Sequence, residues 1–106
     1  MGLGLDQPPV PIAATLAFAT GVWSVTFDKI LTAGALAIAN WTFRASDSLF
    51  STDTAVAAGN TVSGTSTEGF ENAGADVVNY AAAPADVLNL TGQPAAAFTD
   101  FPLTVT

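Results

Sequence analysis

The chain has no cysteine and no histidine among its 106 residues. The first absence excludes disulfides and thiol chemistry. The second removes the commonest general base and the commonest transition-metal ligand. A Ser–Lys catalytic pair would depend on Lys29, the only lysine, and its neighbour Asp28 makes a surface ion pair the better explanation. The sequence therefore predicts a protein that is not an enzyme and that carries no cofactor.

Positive charge and long apolar runs are also scarce. Lys29 and Arg44 stand against nine acidic residues, and the net charge is -7. Affinity for nucleic acid comes largely from Lys and Arg side chains that neutralise phosphates, and an anionic membrane surface would repel this charge. The apolar run 30–39 is interrupted by Thr32 and Gly34, and it is shorter than the roughly 18 residues of a membrane-spanning helix. We therefore expect neither a nucleic-acid nor a membrane partner.

Apolar side chains recur at every second position in several short segments, as in half-buried β-strands. Half of the residues are apolar and a tenth are charged, which is the balance of a folded chain and not of a disordered one. The first strand places Ile12, Ala14, Leu16 and Phe18 on one face. The remaining predicted strands are 22–27, 41–45, 54–58, 61–67, 76–82 and 96–105.

The connections between these strands carry turn signals. Thr20-Gly21 and Gly59-Asn60 predict tight turns. Segment 28–40 is interpreted as a loop with a short helical turn that crosses between sheets, and segment 46–53 is predicted to contain a polar turn. About seven short strands separated by such turns are typical of an all-β sandwich or barrel.

The first nine residues differ from the rest of the chain. They contain two early glycines, and Pro8-Pro9 is followed by Pro11, which favours extended over helical backbone. The predicted organisation is therefore an extended N-terminal arm over residues 1–9 and a single β-sandwich domain over residues 10–106.

Several motifs together resemble bacterial immunoglobulin-like domains of the kind repeated in large surface and swimming-motility proteins. In this chain they are Val-Thr-Phe-Asp at 25–28, Leu31, Asn40-Trp41-Thr42-Phe43, Gly59-Asn60-Thr61-Val62, Tyr80, Asp86-Val87, Thr91-Gly92 and Phe98. Gln93 stands where the family usually has asparagine. The resemblance implies an immunoglobulin-like β-sandwich of about seven strands with Greek-key connections, used for display, spacing or adhesion.

Small, acidic, cysteine-free immunoglobulin-like proteins resemble accessory proteins of bacteriophage virions, which decorate capsids, collars and fibres. The segment MGLGLDQPPVP lacks the basic and apolar regions of a signal peptide. We therefore expect assembly in the host cytoplasm into a virion, with other virion structural proteins or further copies of the chain as partners. The alternative is a carbohydrate-binding or adhesion module that contacts glycans of a host surface.

Two regions are candidate partner-binding sites. An apolar, proline-containing arm can lie along a partner and become ordered there, and an aromatic residue among polar neighbours can anchor a partner. The candidate residues are Leu3, Leu5, Gln7, Pro8, Pro9, Phe70 and Phe101.

The two tryptophans, Trp23 and Trp41, admit two interpretations. Each is in phase with neighbouring apolar positions, which favours packing in the core. The other interpretation is sugar stacking at the surface.

The acidic residues could form an oxygen-only calcium site at one end of the sandwich or a glycosidase pair. The candidates are Asp47 with Asp53, or Glu68, Glu71 and Asp76. Because no dense D-x-D-x-D-G loop occurs, the favoured interpretation is a solvated acidic surface that aids solubility, with no metal site.

Overall fold

The protein folds into two β-sheets that form a sandwich-like body. The computed structural model describes residues 7–45, 48–66 and 76–106. Within these residues lie ten strands: β1 (Pro11–Ala17), β2 (Val22–Phe27), β3 (Gly34–Ala35), β4 (Trp41–Ala45), β5 (Ser48–Ser51), β6 (Val56–Ala58), β7 (Thr61–Thr65), β8 (Val77–Tyr80), β9 (Phe98–Pro102) and β10 (Thr104–Val105). The all-β, two-sheet prediction is confirmed.

The six-stranded sheet has the order β10-β1-β2-β7-β6-β3, and the four-stranded sheet has the order β5-β4-β8-β9. Neighbouring strands are antiparallel, except that β10 runs parallel to β1. Both edges of the six-stranded sheet, β3 and β10, are only two residues long. Short edge strands limit pairing with the edge of another chain.

The core lies between the two sheets and is filled by every second residue of the strands. In β2 these are Trp23, Val25 and Phe27, and in β4 they are Trp41 and Phe43. Their neighbours in sequence face outward because side chains alternate across a strand.

An aromatic stack runs through this core from one sheet to the other. The ring of Trp41 lies 5.2 Å from that of Trp23 and 4.8 Å from that of Tyr80, measured between ring centroids. Phe43 adds a contact of 5.1 Å to Trp23. The prediction that both tryptophans pack in the core is confirmed, since each is 0% exposed.

Several predicted connections are also confirmed. β1 and β2 form a local hairpin, and its turn contains Gly21 with a φ of 74°. Gly59 and Asn60 connect β6 to β7. A 3-10 turn, Ile38–Asn40, follows β3 of the six-stranded sheet and leads into β4 of the four-stranded sheet. It is the only helix in the described residues, so none there is long and apolar enough to cross a membrane.

The structure adds a strand within 46–53, the segment predicted to contain a polar turn. Residues 48–51 form strand β5, which pairs with β4 so that Phe50 lies opposite Phe43. Only two apolar residues lie between the flanking serines of this strand. Of these, Phe50 packs against the core and Leu49 is exposed. A strand of four residues offers too few positions for period two to stand out.

The predicted last strand over 96–105 is two strands in different sheets. β9 pairs with β8 in the four-stranded sheet, and β10 pairs with β1 in the six-stranded sheet. Leu103 lies between them with its side chain buried, and its amide donates to the Asp76 carbonyl oxygen at 2.9 Å. The alternation continues through the switch, so the sequence pattern does not reveal it.

The prediction of which β1 side chains face the core is correct only for the middle of the strand. Ala14 and Leu16 are buried, whereas Ile12 and Phe18 are exposed. Pairing with β2 shifts register between Pro11 and Ala13, so Ile12 is the extra residue of a bulge. Phe18 lies beyond the end of β1, in the turn before β2.

Candidate partner-binding surface

Four connecting segments meet at one end of the sandwich, which we call the loop end. Leu31 bridges Asn89, and its amide donates to the carbonyl oxygen of Gly59 at 2.8 Å. The side chain of Asn89 in turn donates to the carbonyl oxygen of Gln7 at 2.8 Å. The loop end consists of segments 7–10, 28–33, 59–60 and 81–97.

The buried side chain of Asn89 holds the loop 88–94 in one conformation. Its Nδ2 donates to Gln7 O and to Gln93 Oε1 at 2.9 Å. Its Oδ1 accepts bonds from the amide and hydroxyl of Thr91 and from the amide of Gln93, at 2.8–3.1 Å. Both donor hydrogens and the acceptor oxygen are therefore used, and they add to the backbone bonds from the Asn89 amide to Gln93 O and from the Gly92 amide to Asn89 O.

A second polar network joins the same loop to the segment before β4. Asp86 accepts bonds from the Ala37 amide at 2.7 Å, from Asn40 Nδ2 at 3.2 Å and from the Tyr80 hydroxyl at 3.0 Å. The Tyr80 oxygen accepts bonds from the amides of Asp86 and Val87. Because charge-assisted bonds are the stronger ones, this network fixes the two loops relative to each other.

Tyr80 makes the stability of this network dependent on pH. Burial raises the pKa of its hydroxyl above the ordinary value of about 10, with Asp86 adding to the shift and the two amide donors opposing it. The pKa is thus higher in the folded than in the unfolded chain. The stability contributed by neutral Tyr80 is complete below the unfolded pKa and is lost as the pH rises through the folded pKa.

We therefore expect the free energy of unfolding to fall as the pH rises above the ordinary tyrosine pKa of about 10, and to fall less in Tyr80→Phe, which cannot ionise. Denaturant titrations of both proteins across this range provide the measurement. Tyr80 is the only tyrosine, so tyrosinate absorbance reports its ionisation directly. A midpoint in the folded protein at or below that of the urea-unfolded chain would contradict the expectation.

The segment before β1 is fastened to the loop end. The Val10 amide donates to Asp28 Oδ1 at 2.8 Å, and the Asp28 amide donates to the Val10 carbonyl oxygen at 3.0 Å. The Val10 amide holds the pKa of the Asp28 carboxyl below its ordinary value, with help from Lys29 at 3.2 Å. Pro9 is fully buried, so this part of the segment packs against the domain.

Exposed apolar side chains lie on this hydrogen-bonded framework. Ile30 and Leu90 are the sequence neighbours of Leu31 and Asn89, which form an isolated antiparallel bridge. Leu90 is 70% exposed, Ile30 is 54% exposed, and Val10 of the segment before β1 is 52% exposed. We call Ile30, Leu90 and Val10 the apolar tip.

The residues predicted from the sequence to bind a partner do not belong to the apolar tip. Leu3, Leu5 and Phe70 lie outside the described residues. The side chains of Gln7 and Pro8 are exposed at the loop end, whereas Pro9 is buried. Phe101 is half-buried in β9 and packs on Phe98 with 5.8 Å between ring centroids.

Sequence reasoning missed Ile30 and Leu90. The signal used for Phe70, an apolar residue among turn-forming neighbours, applies equally to Leu90 between Asn89 and Thr91. The bridge between Leu31 and Asn89, which brings their two loops together, joins residues 58 positions apart in the chain, so no local pattern could have found it.

Other candidate sites receive less support from the geometry. Trp23 and Trp41 are enclosed in the core, so neither is available for sugar stacking. Of the acidic candidates, Asp47, Glu68 and Glu71 lie outside the described residues, Asp53 is exposed and Asp76 is buried. Within the described ranges, no group of three or more acidic residues is arranged to hold a metal ion.

Comparison with known proteins adds no relative: no protein-family model, no curated protein and no solved structure matches this chain.

Proposed function

We propose that the fold is an immunoglobulin-like sandwich. Such sandwiches carry strands A, B, E and D in one sheet and C, F and G in the other, with an added C′ strand beside C in variable-type domains. When the strands are lettered in chain order, β1-β2-β7-β6 corresponds to A-B-E-D and β5-β4-β8-β9 corresponds to C′-C-F-G. This agreement supports the proposal.

The aromatic stack adds support. Antibody domains pack a tryptophan of strand C against a disulfide between strands B and F. Here Trp41 of β4 lies between Trp23 of β2 and Tyr80 of β8, which are the corresponding strands. Since the chain has no cysteine, two aromatic rings take the place of the cross-link between the sheets.

On this scaffold, we infer that the protein is a non-enzymatic interaction module that binds a protein partner through its loop end. The carrying observation is that exposed Ile30 and Leu90 flank the bridge between Leu31 and Asn89, on loops held by buried polar side chains. Exposed apolar residues on preorganised loops favour association because little conformational entropy is lost on binding. The fold alone does not identify a function, so the proposal rests on the apolar tip.

The partner that we propose is another structural protein of a virion, on which this chain is an accessory module. The support is the resemblance of its sequence motifs to immunoglobulin-like domains, together with its small size and net charge of -7. The apolar tip fits a contact with a protein surface better than a contact with polar host glycans, because its exposed groups are aliphatic.

A photo-crosslinking amino acid at position 90, introduced during assembly in the producing host, tests the proposal. We expect a covalent adduct with a virion shell, collar or fibre protein, identified by mass spectrometry. Leu90→Asp should reduce incorporation of the chain into particles about tenfold or more, since loss of an interface anchor exceeds about 1 kcal/mol.

Leu49 supplies the matched control, because it is a leucine that is 62% exposed on β5, outside the loop end. Crosslinking from position 49 should give no such adduct, and Leu49→Asp should be incorporated as the unmodified chain is. Equal behaviour of the two positions, or adducts from position 90 that contain no virion protein, would refute the proposal.

A further inference from the structure

The six-stranded sheet contains no charged residue in any of its strands. About a quarter of the residues in an ordinary domain are charged, and solvent-facing strand positions normally carry many of them. The described aspartates lie elsewhere: Asp28, Asp53, Asp76 and Asp86 are outside the strands, and Asp100 is in the four-stranded sheet. The outer face of the six-stranded sheet is therefore neutral in a protein of net charge -7.

Hydroxyl groups cross this outer face in a continuous row. Thr104 of β10 pairs with Thr15 of β1, Thr15 with Ser24 of β2, and Ser24 with Ser63 of β7. The hydroxyl oxygens of Thr15 and Ser24 are 3.0 Å apart. Residues directly opposite one another share a face of the sheet, so the four hydroxyls lie side by side.

A hydroxyl row is chemically complementary to a copy of itself. Each Ser or Thr hydroxyl is both a donor and an acceptor, so a row turned over by a two-fold axis meets groups with which it can bond. A charged row cannot do this, because like charges would oppose one another. The outward residues around the row are the small Ala13 and Ala58 and the exposed valines Val22 and Val56, all without charge, so two such faces can pack at the usual sheet spacing of about 10 Å.

We propose that the outer face of the six-stranded sheet binds the same face of a second copy of this chain, which gives a symmetric dimer. Two copies with net charge -7 repel each other through any face that bears acidic groups, and this face has none among the described residues. An isologous two-fold contact closes on itself and stops at two copies. The loop end, at the end of the sandwich, stays free for the partner proposed above.

The dimer is weak because the face is small. Four strands spaced about 4.8 Å apart and about five residues long present roughly 300 Å² in projection. Standard stable complexes bury about 800 Å² per partner. A dissociation constant between about 10 µM and 1 mM is expected, so the contact forms at the high local concentration of an assembled surface.

Sedimentation velocity up to about 1 mM of the intact chain tests the proposal. Ser63→Glu places a charge on a central strand of the face and should weaken the dimer at least tenfold. Thr42→Glu is the matched control. It adds the same charge at an outward, half-buried position on a central strand of the other sheet, and it should leave the dimer unchanged.

A charge-swap experiment distinguishes loss of association from misfolding of a variant. A mixture of Ser63→Glu and Ser63→Lys should associate more tightly than either variant alone, because the introduced charges then attract each other across the contact instead of repelling. Far-UV circular dichroism checks the fold of each variant, and Thr15→Glu replaces any that unfolds. A wild-type chain that is monomeric at about 1 mM, or equal effects of the changes at Ser63 and Thr42, overturns the proposal.

Discussion

Gly64→Ala is expected to destabilise the domain by about 3 kcal/mol or more, at the upper end of the range for overpacked positions. Gly64 lies opposite Trp23 in the pairing of β7 with β2. A Cβ at this position would overlap the carbonyl oxygen of Thr54 and lie 2.9 Å from Cζ2 of Trp23. Neither neighbour can move freely, since one is backbone and the other is a buried ring.

The neighbouring contacts make relaxation costly. The Thr65 amide donates to Thr54 Oγ1 at 3.0 Å, and Trp23 Nε1 donates to Thr52 Oγ1 at 2.7 Å. Displacing residue 54 or the ring of Trp23 would lengthen these bonds. Thermal or denaturant unfolding measures the effect, and the midpoint temperature should fall by about 10–20 °C.

Gly59→Ala separates the packing effect from the backbone effect. Gly59 has a φ of 60°, and no atom lies within 4 Å of a Cβ placed there. Its substitution should therefore cost only the conformational penalty of about 1–2 kcal/mol. If Gly64→Ala costs no more than Gly59→Ala, close packing of Trp23 over β7 is not what requires glycine at position 64.

Trp41→Ala is expected to cost about 3–5 kcal/mol, because it removes the middle ring of the aromatic stack and leaves a cavity between the sheets. This is a large part of the roughly 5–15 kcal/mol that stabilises a typical domain. Urea titration measures the loss. Leu49→Ala, at an exposed position, should change the free energy of unfolding by no more than about 0.5 kcal/mol.

Phenylalanine substitutions distinguish the two tryptophans. Trp23 Nε1 donates to Thr52, whereas Trp41 Nε1 is buried and has no acceptor among the described residues. Trp23→Phe therefore loses a buried hydrogen bond, and Trp41→Phe removes a donor that is unsatisfied. We expect Trp23→Phe to cost about 1 kcal/mol more than Trp41→Phe. The reverse order would show that ring volume, and not the hydrogen bond, decides the difference.

The local features of the fold were predictable because they depend on neighbouring residues. Period-two alternation placed Trp23, Val25 and Phe27 on the buried face of β2, and Gly59-Asn60 identified the turn before β7. Two-residue β3 and four-residue β5 were missed, since so few positions give no usable period. The switch of the last strand between sheets was missed because alternation continues through Leu103.

The candidate site was much less predictable. Leu90 is one of several apolar residues in loops, and its sequence neighbourhood does not distinguish it from Phe70. Its environment depends on Asn89, which bonds to Gln7 from 82 positions away. The predicted arm at Pro9 illustrates the same limit, because its extended backbone was foreseeable and its burial against the domain was not.

By itself, the amino-acid sequence determined the all-β class, the buried tryptophans and the absence of histidine and cysteine chemistry. These properties follow from composition and from the two-residue repeat of an extended chain. Only the tertiary structure decided that Leu31 bridges Asn89 and that a neutral hydroxyl row spans four strands of the six-stranded sheet. Strand order and register bring distant residues together, and they are set by the packing of the whole core.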